Sequence, residues 1–98
     1  MEAAHAERID TELERVVRRW QQLPLDRALR ASADVRALVQ LLADEVADLT
    51  GRARCPVPDL GPGVLMDQLR VMVYDHACAE GDGALVGDRL TALRRRLP

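Results

Sequence analysis

Apolar residues recur at three- and four-residue spacing along four stretches of the chain, which predicts four amphipathic helices. The helices are expected at about 3–23, 33–49, 64–79 and 84–97. No stretch alternates apolar and polar residues with a period of two, so no β-strand of four or more residues is expected. The pattern therefore predicts an all-α fold, a small four-helix bundle without a β-sheet, in a single helical domain over residues 1–98.

The stretch from residue 25 to residue 49 permits two interpretations. Apolar positions at heptad spacing run through all of it, but the first half is weak because Ala28 and Ser32 bury little. Ser32 followed by Asp34 is also a good N-cap with a carboxylate in the first turn. We therefore expect a short helical turn at 25–31 before a strong helix at 33–49, with one continuous helix as the alternative.

Residues 50–63 are expected to form a rigid connection rather than a flexible one. Thr50 and Gly51 supply a C-cap for the preceding helix, and three prolines follow within eight residues. A residue that precedes proline avoids the helical region, which stiffens the extended backbone. Leu60 is expected to pack beneath this loop as an anchor.

The third helix carries two apolar stripes, whereas a surface helix needs only one. The broad stripe has the spread of a core-facing surface and includes His76. The second stripe consists of Val64, Val71 and Cys78, which are seven residues apart, with Tyr74 and Asp67 beside it. A solvated row of this kind would forgo burial worth roughly 1.5 to 3 kcal/mol per large side chain. The helix therefore either lies centrally with neighbours on both sides, or its second stripe contacts another chain. These five residues of and beside the second stripe are the interface candidates.

Composition narrows the class of protein. The 98 residues are 48% hydrophobic without any Phe, so one aliphatic core is expected. All 14 basic residues are Arg, a codon bias that suggests a bacterial source of high GC content. Without a signal-peptide pattern or an apolar run long enough for a membrane, a cytoplasmic protein with free thiols is expected. The net charge of −2 argues against a general polyanion binder, although a local basic patch is compatible with it.

Tyr74, His76 and Cys78 lie within five residues of one another, yet they do not form a catalytic cluster on a helix. Neighbouring helical side chains point about 100° apart, so no nucleophile–base pair is expected. His76 is predicted to be a buried, structural histidine bonded to a backbone carbonyl. Nearby, Asp67 and Arg70 are expected to form an ion pair beside a half-buried Tyr74. No catalytic residue is predicted.

A zinc site assembled from Cys55, His76, Cys78 and His5 is not expected, because the chain lacks the short Cys or His spacings of structural zinc. No metal or cofactor is therefore predicted. A Cys55–Cys78 disulfide is geometrically possible but disfavoured in a reducing compartment. On the first helix, opposite charges such as Glu12–Arg15 and Glu14–Arg18 indicate a solvated face.

These features favour a protein–protein interaction or regulatory module that forms a homodimer through the second stripe, or binds another protein there. One alternative is a DNA-binding regulator or antitoxin that uses the C-terminal arginines, although their position suits a helix C-terminus better than base recognition. Those arginines are Arg89, Arg94, Arg95 and Arg96. The other alternative is a small enzyme or enzyme subunit with an interhelical pocket. That pocket would be lined by Asp67, Arg70, Tyr74 and His76.

Overall fold

A computed structural model describes residues 3–98. Within them the chain forms four α-helices, a 3₁₀ turn at Pro62–Val64 before the third, and no β-strand. The helices are α1 (Ala3–Gln22), α2 (Leu25–Thr50), α3 (Leu65–Cys78) and α4 (Gly83–Arg96). The prediction of an all-α four-helix fold is confirmed.

Helix α2 is continuous, so the predicted break before residue 33 is wrong and the single-helix alternative is correct. Ser32 is buried, and its hydroxyl donates to the carbonyl of Ala28, one turn earlier, at 2.8 Å. The side chain is thus satisfied inside the helix instead of capping a new one. The predicted C-cap is confirmed, because Gly51 adopts a left-handed φ of 71° and the next N–H reaches the carbonyl of Ala47 at 2.8 Å.

Helices α1 and α4 pack closely and run in the same direction. Arg8 pairs with Asp88 at 2.7 Å near the start of both helices, and Arg94 pairs with Glu12 at 2.6 Å further along. Glu12 is therefore buried under α4, which corrects the prediction that it belongs to a solvated face. Its predicted pairing with Arg15 is present at 3.3 Å.

The long connection runs backwards along α2. The Gln40 amide donates to the carbonyl of Cys55 at 3.1 Å and accepts the N–H of Val57 at 2.8 Å. Asp59 then lies 3.7 Å from Arg36, one turn nearer the start of α2. Because the loop returns in this way, α3 runs in the same direction as α2 and packs along it.

The residue that anchors this loop is Val57 rather than Leu60. Val57 is half-buried and packs against the core, whereas Leu60 is 64% exposed, so the prediction of a buried Leu60 is wrong. Leu60 instead contributes apolar surface to the outside of the molecule.

The core is aliphatic, as the composition predicted. Every helix contributes to it, and the largest fully buried side chains are Leu42, Leu65, Leu69, Leu90, Val16, Val35, Val39 and Val86. Val86, Leu90 and Leu93 of α4 are buried, as is Leu97 directly after it. The first turn of α4 is capped by Asp82, which accepts the N–H of Leu85 at 3.1 Å. No helix formed by residues 3–98 is long and apolar enough to cross a membrane.

Candidate functional site

An open apolar groove of about 370 Å³ lies between α3 and the proline-rich loop. Six apolar side chains and two polar ones line it. They are Val39, Val57, Leu60, Val64, Val71 and Met72, with Asp67 and Gln68 at the edge. We call this surface the docking groove.

Hydrogen bonds, together with the packing of Val57, hold the loop wall of the docking groove. Gln68 of α3 donates to the carbonyl of Pro58 at 3.0 Å, and the Asp59 carboxylate accepts the N–H of Gly61 at 3.0 Å. Gly61 has a φ of 88°, which favours glycine and lets the chain turn sharply into α3. Leu60 is thereby presented outwards along the groove.

In the single chain the second stripe is accessible to solvent, as an interface requires. Val64 is half-buried and Val71 is 52% exposed, and both line the docking groove with Asp67. Tyr74 and Cys78 do not line the groove but continue the exposed surface towards the end of α3. The predicted interface residues therefore form one surface, and their role in association stays a prediction.

Tyr74 and Cys78 interact one helical turn apart. The hydrogen bond with the Cys78 thiol is the main cause that raises the pKa of the Tyr74 phenol above its ordinary value of 10.0. Tyr74 is 69% exposed, so the prediction of a half-buried tyrosine is wrong. The phenol stays neutral at physiological pH and keeps its O–H as a donor.

Two carboxylates border this surface without a cationic partner. Asp67 and Asp75 are not in an ion pair with any residue of the described chain. The predicted Asp67–Arg70 pair is wrong, because Arg70 points to Glu14 on α1 at 3.3 Å. The predicted Glu14–Arg18 pair is replaced by the same contact. The rim of the docking groove is consequently acidic on the α3 side.

His76 lies on the opposite, buried face of α3, as predicted, with 3% exposure. Its predicted backbone partner is wrong: Nε2 lies 2.9 Å from the Glu45 carboxylate, which also accepts from Arg89 at 2.6 Å. The hydrogen bond from Arg89, more than the one from His76, lowers the pKa of Glu45. Gly81 lies directly against the imidazole ring. The cluster ties α3 to α2 and α4.

The four residues of the interhelical-pocket alternative do not converge. Asp67 lies at the docking groove, His76 lies on the other face of the helix, and Arg70 is paired with α1. Tyr74 lines no cavity with them. Among residues 3–98, no three His, Cys, Asp or Glu side chains converge as metal ligands, and Cys55 and Cys78 are separate exposed thiols.

The arginines of the DNA-binding alternative do not form a free basic surface. Arg89 bonds to Glu45, Arg94 to Glu12 at 2.6 Å, and Arg96 lies 3.9 Å from Asp34. Arg95 alone of the four is exposed without a carboxylate partner in the part of the chain that the structure describes. These cations serve mainly to join α4 to α1 and α2.

Comparison with family models, curated proteins and solved structures gives no match. Sequence reasoning missed the groove residues Val39, Val57, Leu60 and Met72, because each belongs to a different local pattern and only the backward course of the loop brings them together. Leu60, an apolar residue in a loop of prolines and glycines, was the one sequence feature that could have indicated an apolar surface there.

Proposed function

We propose that this protein is an association module that pairs with a second copy of itself through the docking groove and the second stripe. The observation that carries the proposal is Val71, which is 52% exposed at the middle of α3 with apolar groove wall on one side. Isolated exposed apolar residues are ordinary, but a continuous concave apolar surface with a polar rim is typical of an interface.

Three exposed side chains would supply most of the apolar burial on association. Leu60, Val71 and Tyr74 are 64%, 52% and 69% exposed, so more than half of each side chain's surface could still be buried by a partner. Full burial of a large apolar side chain is worth about 1.5 to 3 kcal/mol. Burying the three side chains together would therefore stabilise the dimer by about 3 kcal/mol or more, which offsets part of the entropic cost of association. Val64 and Met72 are already half-buried and would lose the rest of their solvent contact in the dimer.

A two-fold axis near Val71 would bring the apolar residues of the two copies together, and it would also bring Asp67 of one copy near Asp75 of the other. In an antiparallel pairing of two α3 helices, Val64 of one copy faces Cys78 of the other, and Gln68 faces Tyr74. The Tyr74 O–H can donate to the Gln68 amide oxygen. An isologous contact of this kind places apolar residues at the centre and polar pairs on either side.

The test is the variant Val71→Asp, which places a charge at the centre of the proposed contact. A buried charge without a partner costs several kcal/mol, so the dissociation constant should rise about a hundredfold or more. Light scattering should report a dimer for the unmodified protein and a folded monomer for the variant. Thermal unfolding should show that both are folded.

The matched control is Leu29→Asp, since Leu29 is 54% exposed on α2 and lines no part of the docking groove. This variant should remain dimeric. If Val71→Asp prevents folding, Val71 belongs to the core and the proposal is wrong. If the unmodified protein is monomeric at about 100 μM, well above ordinary micromolar dimer affinities, self-association is wrong.

A second candidate is a different protein that offers a basic amphipathic helix. The unpaired Asp67 and Asp75, which lie about 12 Å apart along α3, favour it. In the symmetric dimer these carboxylates approach each other across the axis, whereas a basic partner would neutralise them. The double variant Asp67→Asn/Asp75→Asn distinguishes the two: it should strengthen self-association but weaken capture of a basic helix.

A further inference from the structure

A second concave surface lies between the C-terminal halves of α1 and α4. It is an open depression of about 390 Å³ to which four arginines and one glutamine contribute. The lining residues are Arg15, Arg18, Arg19, Gln22 and Arg94. We call this surface the arginine cleft. It shares no residue with the docking groove.

One buried carboxylate organises the arginine cleft. Glu12 accepts from Nε of Arg94 at 2.6 Å and from Nη1 of Arg15 at 3.3 Å. The hydrogen bond from Arg94 is the main cause that lowers the pKa of Glu12, so the carboxylate is ionised at neutral pH. Each guanidinium carries five N–H donors, and most of those on Arg15 and Arg94 remain free to bind another acceptor.

The arginines of the cleft carry more positive charge than the Glu12 carboxylate neutralises. Arg18 and Arg19 are exposed, and neither is in an ion pair within residues 3–98. Of the four arginines that line the cleft, Arg15 and Arg94 bond to Glu12. Elsewhere along the same helix, Arg8 is paired with Asp88 at 2.7 Å. The excess is local, because the whole chain has a formal net charge of −2.

We infer that the arginine cleft binds a small anion with two or three linked phosphate groups. Planar guanidiniums bind phosphate oxygens through paired hydrogen bonds, and linked phosphates supply the multiple negative charges that four cations require. No aromatic side chain lines the cleft, so recognition rests on the phosphates rather than on stacking with a base. A long polyanion is disfavoured by the negative net charge beyond the cleft.

The probe for this inference is inorganic tripolyphosphate, titrated calorimetrically at low ionic strength. The variant Arg18→Gln/Arg19→Gln removes the two unpaired cations but leaves Arg15 and Arg94 on Glu12. Loss of charge-assisted hydrogen bonds should weaken binding by roughly tenfold or more. The matched control Arg27→Gln/Arg52→Gln removes two exposed arginines that lie outside the cleft and should bind within about twofold of the unmodified protein.

Three outcomes would overturn the inference. The first is that tripolyphosphate fails to bind, and the second is that both double variants lose affinity equally, which indicates attraction without a site. The third is that a short DNA duplex binds more tightly than tripolyphosphate, which assigns the cleft to a polymer backbone. Sulfate should bind much more weakly than tripolyphosphate. Val71→Asp should leave tripolyphosphate binding unchanged, so this test is independent of the proposed self-association.

Discussion

Helices α3 and α4 are both 14 residues long, yet they relate to the rest of the molecule differently. Helix α4 buries Val86, Leu90 and Leu93 against its neighbours, leaves Leu85 40% exposed, and joins the neighbouring helices through arginine–carboxylate pairs. Helix α3 buries one face as completely but leaves Val71 and Tyr74 on the other face exposed. A helix whose apolar positions exceed what its own fold can cover is the place to look for a partner.

The largest contrast is expected between the two faces of α3. Leu69→Ala should destabilise the monomer by about 3 kcal/mol, because Leu69 is fully buried and its truncation leaves a cavity. Val71→Ala, two residues away on the exposed face, should change the free energy of unfolding by at most about 0.5 kcal/mol. Denaturant unfolding at a chain concentration low enough to keep the protein monomeric measures both. Equal losses would show that both faces belong to the core.

The junction between the two helices gives the next largest effect. In Gly81→Ala the added methyl group would overlap the His76 imidazole, which is itself fixed by Glu45. Displacing a buried ring should cost about 2 kcal/mol. Gly63→Ala is the control, since nothing lies within 4 Å of its Cβ position, and it should be nearly neutral in a thermal melt. A neutral Gly81→Ala would mean that His76 is not locked in place.

A smaller effect is expected from the ion pair that joins α4 to α1. Glu12→Gln should destabilise the protein by about 2 kcal/mol, because a buried carboxylate bonded to Arg94 is lost. Glu14→Gln, two residues away in an exposed pair with Arg70, should cost at most about 0.5 kcal/mol. Chemical denaturation at neutral pH compares them. Similar costs would place Glu12 on the solvated surface after all.

The same carboxylates set the response to acid. The pKa values of Glu12 and Glu45 are lowered from 4.5 by their hydrogen bonds with Arg94 and Arg89. A group with a lowered folded pKa contributes its full stability above about pH 4.5 and loses it as the pH falls through the folded value. Unfolding free energy should therefore decline below about pH 4.5, and Glu12→Gln should show a shallower decline. Parallel pH profiles for both proteins would contradict this assignment.

Local periodicity predicted the helices and the two faces of α3, because both are set by spacing within one segment. The burial of His76 followed from its angle on the helix, whereas the angle of Val71 left open whether neighbouring helices cover it. Ser32 was misassigned since a capping side chain can equally bond back to its own helix, as it does here at 2.8 Å.

Contacts between distant segments were beyond sequence reasoning. Arg94 lies 82 residues from Glu12, and no spacing rule connects them. Likewise, Leu60 joins the docking groove only because the loop returns along α2, a course fixed by Gln40. The arginine cleft was missed for the same reason, since it combines residues of two helices at opposite ends of the chain.

The most direct test of the central claim is an isotope-filtered NMR experiment on a mixture of labelled and unlabelled protein. If the second stripe joins two copies, contacts should appear between the Val71 methyl groups of one copy and Val71 or Gln68 of the other. Tyr74 ring protons should report the partner's Gln68 in the same spectrum. A spectrum of a dimer with intermolecular contacts elsewhere and none at Val71, or a molecular mass that stays at the 10.9 kDa of one chain, would contradict the account.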